Sequence, residues 1–296
     1  MNNNNQIDKK NLDIKIYING DFYNRDEAKI SVFDSGFLLG DGIWEGIRLV
    51  KNEWLFLNEH LDRLFEGCKA IDIRLDFTKD EIKQAIIDTQ NINNMTDSAH
   101  ARIMITRGTK TKPFQQPSLS TSGINFVIIM EHSKENLDVN GINLVTVPQV
   151  RGLPMSQDPK LNSHSKLNCI LACIQATKAG GDEALMLDQH GFVNTTNSCN
   201  FFIVKNDEVW TSTGDYCMNG ITRLKVINLC KNNNIPICQK NFTLVDVYSA
   251  DEAFVTGTLG SLTQVINIDG RSIGSKNNWP ITKKLRSLYK ELINAD

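Results

Sequence analysis

The sequence predicts an α+β protein built as about two domains, and three observations predict it. Its 296 residues exceed the usual size of one domain. Its composition, 41% hydrophobic and 22% charged, is that of a globular chain able to bury a sizeable core. Short runs of alternating apolar residues are interspersed with stretches of helical spacing, without the strict alternation of a doubly wound parallel sheet.

The elements follow in order. Residues 1–11, MNNNNQIDKKN, lack the apolar core of a signal peptide and read as a disordered polar arm. Ile14–Ile18 alternates and ends at Asn19-Gly20, a hairpin signal. Trp54–Leu57 reads as a second strand. Leu61, Leu64, Phe65, Cys68 and Ile71 recur at helical spacing. Thr78 with Glu81 makes a capping box ahead of Ile82, Ala85 and Ile86. Arg102–Thr106 and Ile124–Met130 read as strands, closing a first domain over 12–130. The polar run 131–141 is the expected linker, and a second domain spans 142–296.

That domain opens with the strand Ile142–Val147. Leu167, Ile170, Leu171 and Ile174 mark the face of a helix over about 165–179, with Ser163 or Ser165 as its cap and Gly180-Gly181 at its end. Strands follow at Ala184–Leu187, Phe201–Val204 and Val209-Trp210, then a helix from Ile221 to Lys231. Ala253–Val255 and Val265–Ile268 are strands. Pro280 begins the last helix, with Ile281, Leu285, Leu288, Tyr289 and Leu292 on its apolar face.

Several function classes are excluded early. Lys+Arg is 32 against Asp+Glu 34, so no basic excess drives nucleic-acid or membrane-surface binding. No apolar run is long enough to span a bilayer. Seven scattered cysteines with no CxxC argue for free thiols in a reducing, cytoplasmic compartment. Neither GxGxxG after a strand, GxxxxGK[ST] nor GxSxG occurs. The five histidines have no metal-ligand spacing and read as solvated or capping residues.

Four segments, in order, carry a family pattern. They are Ser31–Arg48 (SVFDSGFLLGDGIWEGIR), Asn58–Leu64 (NEHLDRL), Asp182–Asp188 with Asn200–Lys205, and Gly220–Arg223 with Phe254–Thr258 and Leu262-Thr263. Together they resemble the fold-type IV pyridoxal-phosphate enzymes, the class IV aminotransferase family. That family includes branched-chain aminotransferases, D-amino-acid aminotransferases and aminodeoxychorismate lyases. The resemblance implies a small N-terminal α/β domain, a larger C-terminal barrel-like domain, pyridoxal 5′-phosphate between them, and a homodimer. It also implies a small amino acid or amine and a 2-oxo acid as substrates.

The residues have physical readings beside the resemblance. A phosphate monoester needs a fixed cation and oriented donors. Arg63, four residues after Glu59, reads either as a surface partner of Asp62 or Glu66 or, by the resemblance, as the phosphate ligand. Gly220-Ile221-Thr222 opens a helix whose free N–H groups form an anion site, and Thr256-Gly257-Thr258 follows a strand. The resemblance gives the phosphate to Ile221, Thr222 and Thr258. It places Trp44, Leu39 and Arg102 at the substrate, with Arg102 facing a carboxylate. Arg107 reads equally as a structural ion pair.

Two positions depart from the family pattern. The common form Asp-Pro-Arg-Ile-Lys-Ser aligns with Asp158-Pro159-Lys160-Leu161-Asn162-Ser163, so Asn162 stands at the Schiff-base lysine. An amide cannot replace that amine. Lys160, two residues earlier, and Lys166, four residues later, are the candidate catalytic lysines. The family's pyridine-nitrogen Glu is replaced by Thr195, whose hydroxyl can bond the ring nitrogen but supplies no charge. The Arg and His of the D-amino-acid carboxylate trap fall at Thr111 and Pro113. The expected function is a branched-chain-like, pyridoxal-phosphate-dependent aminotransferase. The alternatives are a lyase or racemase on the same scaffold, or a cofactor-binding member without turnover.

Overall fold

A computed structural model describes residues 7–133, 141–274 and 278–294. It comprises two compact units. The first is Met1–Lys134 with Asn162–Ser165, and the second is Glu135–Leu161 with Lys166–Asp296.

The first unit contains β1 (Lys15–Ile18), β2 (Asp21–Asn24), β3 (Gly42–Val50), β4 (Glu53–Trp54), β5 (Ala99–Thr106) and β6 (Asn125–His132). They form an antiparallel sheet in the order β2-β1-β6-β5-β3-β4. Its helices are α1 (Ser35–Leu39), α2 (Leu57–Ala70) and α3 (Lys79–Ile92). The Thr78–Glu81 capping box is present at the head of α3. Leu61, Leu64 and Cys68 are buried, as the spacing of α2 predicts. The expected strand at 54–57 is cut short, because Phe56 adopts φ +54° and turns the chain into α2. Part of the expected arm is ordered. Lys9–Asn11 form a 3₁₀ turn, and the Asn11 side chain bonds the His132 backbone at 3.0 and 2.7 Å. Of the expected linker, residues 131 and 132 belong to β6 and residues 134–140 lie outside the described residues.

The second unit contains β7 (Ile142–Thr146), β8 (Glu183–Leu187), β9 (Val193–Thr196), β10 (Asn200–Lys205), β11 (Glu208–Thr211), β12 (Ile237–Gln239), β13 (Glu252–Gly257), β14 (Ser261–Ile268) and β15 (Arg271–Ser272). Its helices are α4 (Pro154–Gln157), α5 (Leu167–Lys178), α6 (Ile221–Asn232), α7 (Leu244–Tyr248) and α8 (Pro280–Asn294). The main path runs β12-β11-β10-β13-β14-β7-β8-β9, and β9 pairs back to β10 through Thr195 and Asn200. Six strands thus close into the expected barrel. Phe201, Ile203, Val255, Val265, Leu144 and Leu185 fill one face of these strands. On the other face Phe202 stacks on Phe254 with centroids 4.9 Å apart. On that face too, Glu252 accepts the backbone N–H of Ile281 and Thr282 at 2.9 and 2.8 Å, at the head of α8.

Helix α5 corrects two expectations. Its N-cap is Lys166, with no side-chain cap from Ser163 or Ser165. The stripe read as its buried face is turned out: Leu167, Ile170, Leu171 and Ile174 are all exposed, while Ala172 and Ala176 are fully buried. The small alanines let the helix approach β8 closely.

Candidate active site

In the first unit the fixed cation is built from β3 and α2. Glu45, fully buried on β3, accepts Arg63 Nε at 2.7 Å and Nη2 at 2.8 Å. The carboxylate also bonds His60 Nδ1 at 2.7 Å. Burial alone would raise the Glu45 carboxyl, but the bonds from Arg63 and His60 outweigh it and hold it below the ordinary carboxylate range. The fork pairing with Asp62 or Glu66 does not form; Asp62 pairs with Lys79. His60 is 2% exposed, so the solvated reading is wrong for it. Arg63 keeps 17% side-chain exposure, so the guanidinium is oriented from behind and reachable from outside.

The start of β3 is bound to the 162–165 segment. Trp44 N–H donates to the Asn162 carbonyl at 2.9 Å and its indole N–H to the Ser163 carbonyl at 3.1 Å. His164 N–H donates to Gly42 O at 2.9 Å. Gly40, at φ +70°, ends α1 just after Leu39; a Cβ there would lie 3.1 Å from Ser165 Cα. Leu39 itself is 40% exposed. Arg102 stacks its guanidinium 4.0 Å over the Trp44 ring, which leaves its donors free in direction for an anion. Arg107 is structural: it forks onto Asp41 at 2.8 and 3.0 Å and caps the Ile71 and Asp72 carbonyls. On the same face of the sheet as Trp44 and Arg102, Met104, Val127, Ile129, Ile16 and Ile18 line an apolar recess of about 440 Å³.

In the second unit the anion-binding groups sit at the head of α6. Gly220 is its N-cap and no side chain caps it, so first-turn N–H groups have no helical partner. Ile221 and Thr222 are buried there. Asn200 Nδ2 donates to Met218 O at 2.9 Å, and a Cβ on Gly220 would sit 2.2 Å from Asn200 Oδ1. Only glycine lets the turn come this close. Thr258 is half-buried just past the end of β13. Oriented N–H and O–H donors, with no carboxylate bonded among them, fit a phosphate monoester.

The reacting positions are different. Thr195 closes the barrel, and its hydroxyl donates to the Cys199 carbonyl at 2.6 Å. The proton expected for a neutral ring nitrogen is therefore already used, and only lone pairs remain. The Glu183 carboxylate beside this turn is taken up by Thr196 Oγ1 at 2.5 Å and Ser198 Oγ at 2.6 Å. Asn162 is buried, Lys160 is exposed, and Lys166 is half-buried at the head of α5. Sequence reasoning missed Glu45 and His60. The signal was available: Glu45 points to the helix-bearing face of β3, where a lone carboxylate requires a cation.

A barrel with an uncapped helix head and a separate antiparallel unit bearing a braced arginine define a phosphate-ligand-binding enzyme class. The comparisons place it further. The class IV amino-transferase family model matches residues 42–268, so the chain belongs to the class IV aminotransferase family, as the sequence motifs imply. It is 40% identical over 281 residues to the putative branched-chain-amino-acid aminotransferase of Methanocaldococcus jannaschii, covering 94% of this chain and 96% of that one. It is 39% identical to branched-chain-amino-acid aminotransferase-like protein 2 of Arabidopsis thaliana over 97% of its own length, and spans about half (51%) of that relative. Among solved structures, the branched-chain aminotransferase of the archaeon Thermoproteus uzoniensis with norvaline superposes with TM-score 0.85 at 29% identity, over 95% of this chain and 94% of that one. A bacterial-type likeness is as close in shape: a branched-chain amino acid aminotransferase solved with pyridoxamine 5′-phosphate superposes with TM-score 0.89 at 27% identity, over 98% of this chain and 96% of that one. The fold-type IV architecture and the family's pyridoxal-phosphate chemistry are borne out by these likenesses.

Proposed function

We propose that this chain is a pyridoxal-phosphate-dependent aminotransferase of branched-chain type, moving an amino group between a small amino acid and a 2-oxo acid. The observation that carries the reading is the uncapped, buried head of α6 with Thr222 and Gly220. Ile221, Thr222, Thr258 and Arg63 hold the phosphate in this reading. The cofactor, when bound, supplies an electron sink for breaking bonds at an amino acid's α-carbon. Arg102, oriented by Trp44, takes the substrate carboxylate, with Leu39 beside the pocket. The apolar recess next to it suits an aliphatic side chain. Lys166 is the amine for covalent attachment, with Lys160 as the substitute if the loop before α5 carries an insertion.

Thr195 favours a second reading. With no carboxylate at that position and the hydroxyl already donating, the electron sink is weakened, which suits elimination or racemisation better than transamination. The test is to load the protein with pyridoxal phosphate, add leucine and 2-oxoglutarate, and follow 4-methyl-2-oxopentanoate and glutamate. Release of ammonia or loss of optical activity without glutamate would replace the aminotransferase reading.

A homodimer is part of the proposal. The outward stripe of α5, with Leu167 at 65% and Ile170 at 52% exposure, supports it, as does Phe37 at 71%. A monomer in light scattering at micromolar concentration would overturn it. All seven cysteines are free, which supports a reducing, cytoplasmic compartment. No helix among the described residues is long and apolar enough to cross a membrane.

A further inference from the structure

The hydroxyl of Thr256 is the outlier of the second unit. Thr256 is 2% exposed, and its Oγ1 is sealed from solvent with no hydrogen-bond partner. Leaving such a group unpaired costs about 1–3 kcal/mol, and a valine of the same shape would avoid it. The register tells where the side chain points. Thr256 lies directly opposite Asn200 across the β10–β13 pair, so the two share a face of the sheet. The Asn200 side chain reaches Met218 O and abuts Gly220, so this face carries the head of α6. Two observations therefore converge on one place: an uncapped twelve-residue helix with buried first-turn residues, and a buried hydroxyl with an unused proton.

We infer that Thr256 is a further anion-binding residue, donating its hydroxyl to a phosphate oxygen held at the head of α6. The inference rests on the phosphate reading of that helix and adds to it a donor on β13 that the motif residues do not include. The orphaned proton explains why the chain carries threonine here, where the flanking strand positions Phe254 and Val255 are apolar. An acceptor with no proton of its own, such as a phosphate oxygen, is the ligand chemistry that would satisfy it.

The test is Thr256→Val in the full chain, with Thr256→Ser and Thr222→Val beside it. Pyridoxal phosphate and inorganic phosphate are titrated calorimetrically into each apoprotein, and the melting temperature of each apoprotein is recorded. Thr256→Val is expected to bind both ligands about tenfold more weakly while its apoprotein melts higher than wild type. Thr256→Ser should keep wild-type affinity. A purely structural threonine would not lose affinity and gain stability together. Unchanged affinity in Thr256→Val, with Thr222→Val weakened, overturns this inference and leaves the phosphate reading standing. A Thr256→Val protein that melts lower or does not fold makes the hydroxyl structural and also overturns it. Wild-type protein that binds neither ligand overturns the phosphate reading and this inference with it.

Discussion

Two regions of the molecule stand in contrast: the groups that would hold an anion and the groups that would react with what it carries. The holding groups are complete. Arg63 is forked onto a buried carboxylate, and the head of α6 is uncapped with glycine at its closest approach. The reacting positions are rewritten. Asn162 stands where the family motif has lysine, and Thr195 spends its proton on Cys199. The contrast teaches that holding and reacting are separable in this fold. Holding relies on backbone geometry and one braced cation, which tolerate change elsewhere. Reaction relies on single side chains, each replaceable by one substitution.

The sharpest way to break the contrast is at Lys166. If it supplies the covalent amine, Lys166→Met abolishes the yellow colour of the loaded protein and all turnover. Borohydride reduction of the wild type followed by peptide mapping should place a pyridoxyl group on Lys166. An adduct on Lys160 moves the amine to the earlier lysine. No adduct, with cofactor still bound, would leave a protein that holds without reacting.

Arg63→Ala attacks the holding side. Cofactor affinity should fall tenfold or more. Glu45 would also lose its cation while fully buried, at a cost of about 3 kcal/mol or more in stability. Equilibrium dialysis and urea denaturation measure the two effects, and unchanged affinity would remove Arg63 from the phosphate site.

Acid titration sharpens the same point. The folded Glu45 carboxyl lies below its ordinary 4.5. Its contribution is therefore fully present above that ordinary value and is lost as pH falls through the lower folded value. The stability gap between wild type and Glu45→Gln should be flat from about pH 8 to about pH 5 and close only in stronger acid. A gap that already closes near neutrality would mean that Glu45 is not held ionised by Arg63 and His60.

The smallest effect is expected at Thr195. Thr195→Val removes one hydrogen bond at the barrel closure, worth about 1 kcal/mol, and should leave cofactor affinity within a factor of two or so. Thr195→Glu restores a charge and should raise the transamination rate relative to any elimination. A large loss of affinity in Thr195→Val would place this hydroxyl among the holding groups instead.

The sequence by itself determined the mixed α and β class, the capping box at Thr78, the motif string that runs into β3, and the glycine-led head of α6. These are legible because they depend on neighbours within four or five residues. Tertiary structure alone decided three other matters. The apolar stripe of α5 points outward, because two alanines pack closer to β8 than leucines can. The partner of Arg63 is Glu45, 18 positions away across β3 and α2, rather than Asp62 or Glu66. The proton of Thr195 is directed at a carbonyl four residues on, and that of Thr256 at no protein atom. In each case the sequence names the side chain, but what a polar group bonds or a helix buries depends on which strands close beside it, and that is set by contacts between residues far apart in the chain.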